Sequence, residues 1–117
     1  MSVQQALEDL YSALGRVEGV RPHRGLGVVI SPPASVVSLP TLERGSRSTE
    51  PTNATFTVAL IVAVSERAGE ELLRLEQLVV DEIDTLPNVS VGTSAPGSWP
   101  VSGVDLPAYL IPVEVAV

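Results

Sequence analysis

The fold of this chain is decided by residues 54–86, which read ATFTVALIVAVSERAGEELLRLEQLVVDEIDTL. Residues 54–65 alternate strictly between two sets of side chains, and a period of two predicts a β-strand. One face of this strand is large and apolar: Phe56, Val58, Leu60, Val62 and Val64. The other face is smaller: Thr55, Thr57, Ala59, Ile61, Ala63 and Ser65. We expect this strand to be central and its large apolar face to meet a helix.

Residues 66–86 predict that helix. Apolar side chains recur in steps of three and four, which is typical of an amphipathic helix: Ala68, Leu72, Leu75, Val79, Ile83 and Leu86. Ser65 is the predicted N-cap, and Pro87 ends the helix because proline cannot continue it. We expect the apolar stripe to pack on the large face of strand 54–65.

Before this central unit, two shorter elements are predicted. Residues 2–14 predict a short amphipathic helix that Ser2 caps and Gly15 ends. Residues 34–39 predict a strand that lies between two prolines. The segment that follows, residues 40–53, is the most polar of the chain and predicts a long loop.

After the central unit, residues 88–96 predict a weak strand and residues 95–98 a turn, since the latter read Ala-Pro-Gly-Ser. Residues 107–117 alternate again and predict a final strand. The whole chain, residues 1–117, is expected to form a single domain. The order of elements predicts an α+β fold: a single mixed or antiparallel sheet of about four to five strands with two helices packed on one face.

Composition excludes several classes of function. The chain has 117 residues, 14 of them Asp or Glu, seven Arg and no Lys, so its net charge is −7. This balance argues against nucleic acid as a tightly held ligand, because few cations are available to neutralise phosphates. The absence of Cys excludes disulfides and thiolate metal sites, and the absence of Lys excludes Schiff-base chemistry. No signal peptide or membrane segment is predicted, since the longest apolar run, residues 58–64, is too short to span a bilayer.

No catalytic, cofactor-binding or metal-binding constellation is predicted. His23 is the single histidine and is expected to be an exposed loop residue. Gly25-Leu26-Gly27 is similar to the beginning of a dinucleotide-binding fingerprint, but the third glycine and the following helix are missing, so a turn is predicted. The carboxylates of residues 66–86 lie between the apolar positions, and we expect them to form a solvated helix face.

The smaller face of strand 54–65 predicts a contact between copies of the chain. Two helices cover one face of a sheet of this size, which leaves Ala59, Ile61, Ala63 and Leu110 on the other face. An uncovered apolar sheet face usually marks a subunit interface, and we predict one at these four residues. The alternative is that residues 88–106, with Trp99, fold over this face within one chain.

The polar segment 40–53 predicts a second contact. It cannot bury enough apolar surface to order itself, and loops of this length in compact domains tend to be functional or disordered. We expect it to be mobile in the free subunit and to become ordered against a partner through Leu42, Glu43, Arg44, Arg47 and Glu50. The alternative is a tolerated insertion without a role.

Together, these elements resemble the tail terminator proteins of long-tailed bacteriophages, which are also described as minor tail or head–tail joining proteins. The matching features are the short N-terminal helix, the strand entry Ser31-Pro32-Pro33-Ala34, the strand-into-helix junction of residues 58–68 and the closing strand of residues 106–115. The resemblance covers most of the chain and is a pattern of elements without a catalytic motif.

The resemblance implies a structural virion protein that is not an enzyme and has no cofactor. It implies a hexameric ring that caps the tail tube, ends polymerisation of the tail tube protein and joins the tail to the head–tail connector, or stopper, protein. DNA passes through such a ring without specific binding. The expected location is the virion tail, after assembly in the cytoplasm of the bacterial host, with no membrane partner.

Two other classes of function stay open on the sequence alone. Another head–tail connector or a tail-tube protein would also be small, acidic and ring-forming, but a tube protein grows long tubes where a terminator stays a single ring. A small host binding or regulatory domain, or an enzyme, is the alternative from a different class. A pocket with convergent polar groups would favour that alternative.

Overall fold

The computed structural model describes residues 2–24 and 30–117. Two helices and seven strands follow one another in these residues: α1 (Val3–Gly15), β1 (Arg21–Arg24), β2 (Ala34–Val37), β3 (Thr41–Arg44), β4 (Pro51–Ile61), α2 (Ala68–Ile83), β5 (Val89–Val91), β6 (Ala95–Val101) and β7 (Val104–Ala116). Ser2 caps α1 as predicted, because its hydroxyl accepts a hydrogen bond from the Gln5 amide at 3.0 Å. Neither helix is long and apolar enough to cross a membrane, as far as the described residues go.

The strands form one mixed sheet around β4 and β7, in the order β1-β2-β4-β7-β5. β3 pairs with β4 on the same edge as β2, and β6 pairs with β7 on the same edge as β5. β1 and β2 are parallel, and the other pairs are antiparallel. The central β4–β7 ladder runs through nine residue pairs, from Asn53↔Ala116 to Ile61↔Ala108.

Both helices pack on one face of this sheet, which we call the helix face. The large side chains of β4 meet the apolar stripe of α2 there, as predicted, and α1 joins the same cluster: Leu10, Leu14, Phe56, Val58, Leu60, Leu75, Val79 and Ile83. The predicted α+β class is therefore confirmed. The sheet has seven strands where about four to five were predicted.

The boundaries of the central unit differ from the prediction. β4 begins at Pro51 and ends at Ile61, and Val64 is 69% exposed where the alternation placed it in the core. The chain turns before α2, which begins at Ala68 with Arg67 in the cap position. The Ser65 hydroxyl accepts from the Arg67 amide at 3.3 Å, so Ser65 stabilises this turn and is not the N-cap.

Two of the additional strands, β3 and β6, lie in segments for which a loop and a turn were predicted. Within residues 40–53, β3 pairs with β4, so this segment is most of a β-hairpin and not a long loop. The predicted turn at residues 95–98 is wrong, because these residues begin β6. β6 and β7 are joined by Ser102 and Gly103, which both have positive φ, as a tight two-residue hairpin turn requires.

Candidate interaction surface

Part of the sheet face opposite the helices is covered within the chain. Val36, Ala59, Ile61 and Ala108 form a second buried cluster, and Trp99 and Leu106 pack against it. Trp99 lies opposite Leu106 in the β6–β7 register, and Gly97 lies opposite Ala108. The β6–β7 hairpin thus brings an indole side chain against the small side chains of this face.

This cover buries two of the four residues of the predicted interface between copies. Ala59 is 1% exposed and Ile61 is 0% exposed in the single chain, so neither side chain is accessible to a partner. Ala63 lies beyond the end of β4 and is exposed, and Leu110 is half-buried. Of residues 88–106, which the alternative places over this face, Trp99 packs against the covered part, while β5 and β6 extend the sheet.

The β3–β4 hairpin carries all five residues predicted to contact a partner. Leu42, Glu43 and Arg44 lie on β3 or at its end, Arg47 and Glu50 lie in the connection, and all five are exposed. The Arg44 guanidinium donates from Nε to the Thr49 carbonyl at 2.9 Å. The hairpin is therefore held by backbone pairing and local hydrogen bonds, one of which uses the Arg44 side chain.

A cleft of about 310 Å³ opens where β1 and β2 end, and we call it the Leu39 cleft. Its lining is almost entirely apolar and includes Tyr11, His23, Val37, Leu39 and Trp99. Leu39 itself is 85% exposed. His23 was predicted to be an exposed loop residue, but it lies on β1 and is half-buried.

His23 gives the Leu39 cleft a polar group. Its Nε2 atom is buried and has no hydrogen-bond partner within the part of the chain that the structure describes. Buried polar atoms are nearly always paired in folded proteins, and Ser35 Oγ is the other unpaired one in the described residues.

Arg24 joins β1 to α1 at the same place. Its guanidinium donates two hydrogen bonds of 2.7 Å to the Glu8 carboxylate and lies 4.0 Å from the centre of the Tyr11 ring. The hydrogen bond to Glu8 is the largest cause that raises the pKa of Arg24 above its ordinary value. This bidentate pair fixes the edge strand against the helix.

The outer face of α2 is acidic and carries exposed leucines. Glu70 and Asp81 are exposed there, and so are Leu73, at 61%, and Leu78, at 42%.

Charge is divided unevenly between the first and second parts of the chain. Residues 2–53 contain five Arg and five acidic residues, whereas residues 54–117 contain two Arg and nine acidic residues, so the net charge of −7 belongs entirely to the second part.

Two edges of the sheet are closed to a further strand by prolines. The Arg21 amide bonds to the Pro33 carbonyl, so the backbone groups of Pro22 and Arg24 point away from β2. On β6, the odd-numbered residues form the hydrogen-bonded pairs with β7. The backbone groups of Pro96, Ser98 and Pro100 therefore point away from β7. Proline has no amide hydrogen, and its position on an outer edge prevents strand addition.

No group of three His, Asp or Glu side chains that could hold a metal ion occurs in residues 2–24 and 30–117. Gly25-Leu26-Gly27, for which the sequence predicts a turn, lies outside the described residues. The described surface thus offers a cleft, a hairpin and an acidic helix as its candidate sites.

Comparison with known proteins places the fold. No protein-family model matches the chain, and no curated protein sequence matches it. The structure of the bacteriophage SPP1 gp17 protein is similar, with a TM-score of 0.55 and 15% sequence identity over 97% of this chain and 87% of that chain. At this identity the likeness shows a common fold, so the chain has a fold that occurs in a bacteriophage protein.

Proposed function

We propose that this chain is a structural protein of a bacteriophage tail, and specifically a tail terminator. The observation that carries the proposal is the likeness to the SPP1 gp17 protein, which extends over nearly the whole chain. The resemblance of the sequence to tail terminators supports the same assignment from different features. Since the structural likeness and the resemblance in the order of elements both point to bacteriophages, we favour this function over a host regulatory domain or an enzyme.

In this role, copies of the chain form a ring, with six copies on the basis of the resemblance. The ring caps the tail tube, ends its polymerisation and presents a surface to the head–tail connector in the virion. DNA crosses the bore, and the net charge of −7 on each copy disfavours lasting contacts with phosphates. The β3–β4 hairpin contacts a neighbouring copy or the tube, because its exposed Arg44 and Arg47 suit carboxylates on a partner.

Deletion of the gene from the phage that encodes the chain tests the proposal. We expect tails of uncontrolled length that lack heads, measured by electron microscopy of negatively stained particles, and rescue by the intact gene in trans. A mutant that makes tails of normal length contradicts termination. Purified chain that grows long tubes by itself identifies a tail-tube protein instead.

A further inference from the structure

We propose that copies of this chain associate head to tail, with the outer face of α2 in one copy seated on the β1 edge and the Leu39 cleft of the next. The inference deepens the proposed function and rests on it, because it assigns the two surfaces that a ring of copies would join. The occupant of the cleft is a second copy of this chain.

The charge distribution is the first argument. α2 lies over β4, β5 and β7, whereas α1 lies over β1 and β2, so on the helix face α2 is the helix nearer the β5 edge and α1 the helix nearer the β1 edge. The outer face of α2 carries Glu70, Asp81 and the adjoining Asp84 against one arginine, Arg74. The β1 edge carries the exposed Arg21, beside Arg24, which is already paired with Glu8. An α2–α2 contact would oppose like charges, whereas a contact between α2 and the β1 edge opposes unlike ones.

The apolar groups are the second argument. The most exposed apolar side chain on α2 is Leu73. The Leu39 cleft, which lies at the β1 end of the sheet, offers apolar walls from Val37 and Trp99. A leucine that enters an apolar cleft from an acidic helix face combines a hydrophobic anchor with a charged rim, which is the usual anatomy of a specific interface.

These contacts determine the symmetry of the assembly that the copies form. The two surfaces are different, so each copy uses one to bind its predecessor and the other to bind its successor. Such heterologous contacts generate a ring when the rotation closes. An isologous dimer through either surface would not use the complementary charges.

Cross-linking tests the assignment, because the chain has no Cys and single thiols can be introduced cleanly. Full-length Leu39→Cys and Leu73→Cys variants, one of them isotopically labelled, are mixed and oxidised at rising protein concentration. We expect the mixed disulfide dimer to exceed both like dimers by several-fold over random pairing, as measured by mass spectrometry. Like dimers in equal or greater yield, or no mixed dimer at any concentration, overturn the proposal.

Charge reversal supplies the matched control. Arg21→Glu in the Leu39→Cys variant lowers the yield of mixed dimer several-fold, and Glu70→Arg with Asp81→Arg in the Leu73→Cys variant restores it. Glu114→Arg, which alters the charge of β7 away from both surfaces, leaves the yield unchanged. If all of these yields are equal, charge does not direct the contact and the assignment is wrong.

The deletion experiment tests the proposed function independently of the proposed interface. Uncontrolled tail length in the deletion mutant, together with no mixed disulfide, overturns the interface and leaves the terminator function standing. Normal tail length together with a strong mixed disulfide overturns the function and leaves the contact between copies standing.

Discussion

Leu75 occupies the middle of the buried stripe of α2 and is 1% exposed. Leu75→Ala removes most of its side chain from the core between α2 and β4, and such truncations cost about 2–5 kcal/mol. We expect that loss in the free energy of unfolding, measured with urea. Leu73→Ala, on the exposed face of the same helix, is the control and changes stability by about 0.5 kcal/mol or less. Equal losses in both variants would show that α2 is rotated relative to the structure.

The Arg24–Glu8 pair is the residue-scale link between β1 and α1. The hydrogen bonds to Glu8 raise the pKa of Arg24 further above a range in which a guanidinium is already charged. Glu8→Gln removes the charge-assisted pair, and we expect faster hydrogen exchange of the β1 amides, with a smaller difference between variant and parent in high salt. Asp9→Asn, which alters the adjacent carboxylate on α1, leaves β1 exchange unchanged. Equal exchange in Glu8→Gln and the parent would show that the pair does not hold β1.

At the scale of elements, the edge prolines of β6 make a prediction about solubility. Pro96 and Pro100 point their backbone away from β7, and Thr at both positions would offer two further amide donors to an incoming strand. We expect the double variant Pro96→Thr, Pro100→Thr to aggregate several-fold faster than the parent, measured by light scattering and thioflavin fluorescence. Ser98→Thr on the same edge is the control. Unchanged aggregation of the double variant would show that this edge is protected by other means.

The β3–β4 hairpin tests the partner contact at the same scale. Arg44 and Pro51 face each other across the hairpin, so residues 45–50 can be replaced by Asn-Gly without removing either strand. We expect a change in stability within about 1 kcal/mol, because shortening a loop has a small entropic effect. We also expect loss of incorporation into tails, measured by the yield of infectious particles.

A second variant separates length from side chains in that hairpin. Six Gly and Ser residues at positions 45–50 keep the length of the connection but remove Arg47 and Glu50. If this variant also fails to enter tails, the charged side chains make the contact. Normal yields from both variants would mean that the hairpin has no partner.

The elements that sequence reasoning missed share a physical cause. Hydrophobic periodicity reports burial, and β3 buries none of its four side chains, so its pairing with β4 leaves no such pattern. The sequence did not predict β6, because Pro96 and Gly97 favour turns when they are considered alone. Both residues fit an edge strand in which the backbone of the proline points away from the sheet. The pair Ser102-Gly103 between two valines is the signal that predicts this hairpin.

For the whole molecule, the sequence predicts the layers better than the surfaces. The alternation of residues 54–65 and the stripe of α2 are enough to place helices on one face of a sheet, because both patterns come from one core. The opposite face was predicted to be open, since nothing in the local pattern shows that Trp99, some forty residues further along the chain than Ala59, returns to it. The Leu39 cleft was missed for the same reason, because its walls come from four separate elements.

The place of β7 in the sheet has a consequence for biosynthesis. β7 follows all the other described strands in sequence, yet it pairs with β4, β5 and β6. While a ribosome is making the chain, β4 therefore has no neighbour on that edge until residues 104–116 emerge, and the slow, long-range pairing comes last. A nascent chain held on the ribosome by a linker, with only residues 1–103 outside the exit tunnel, should be digested rapidly by a protease. One with residues 1–117 outside the tunnel, and so with β7 available, should resist. Resistance of the shorter nascent chain would mean that the helices and the first strands fold without their central partner.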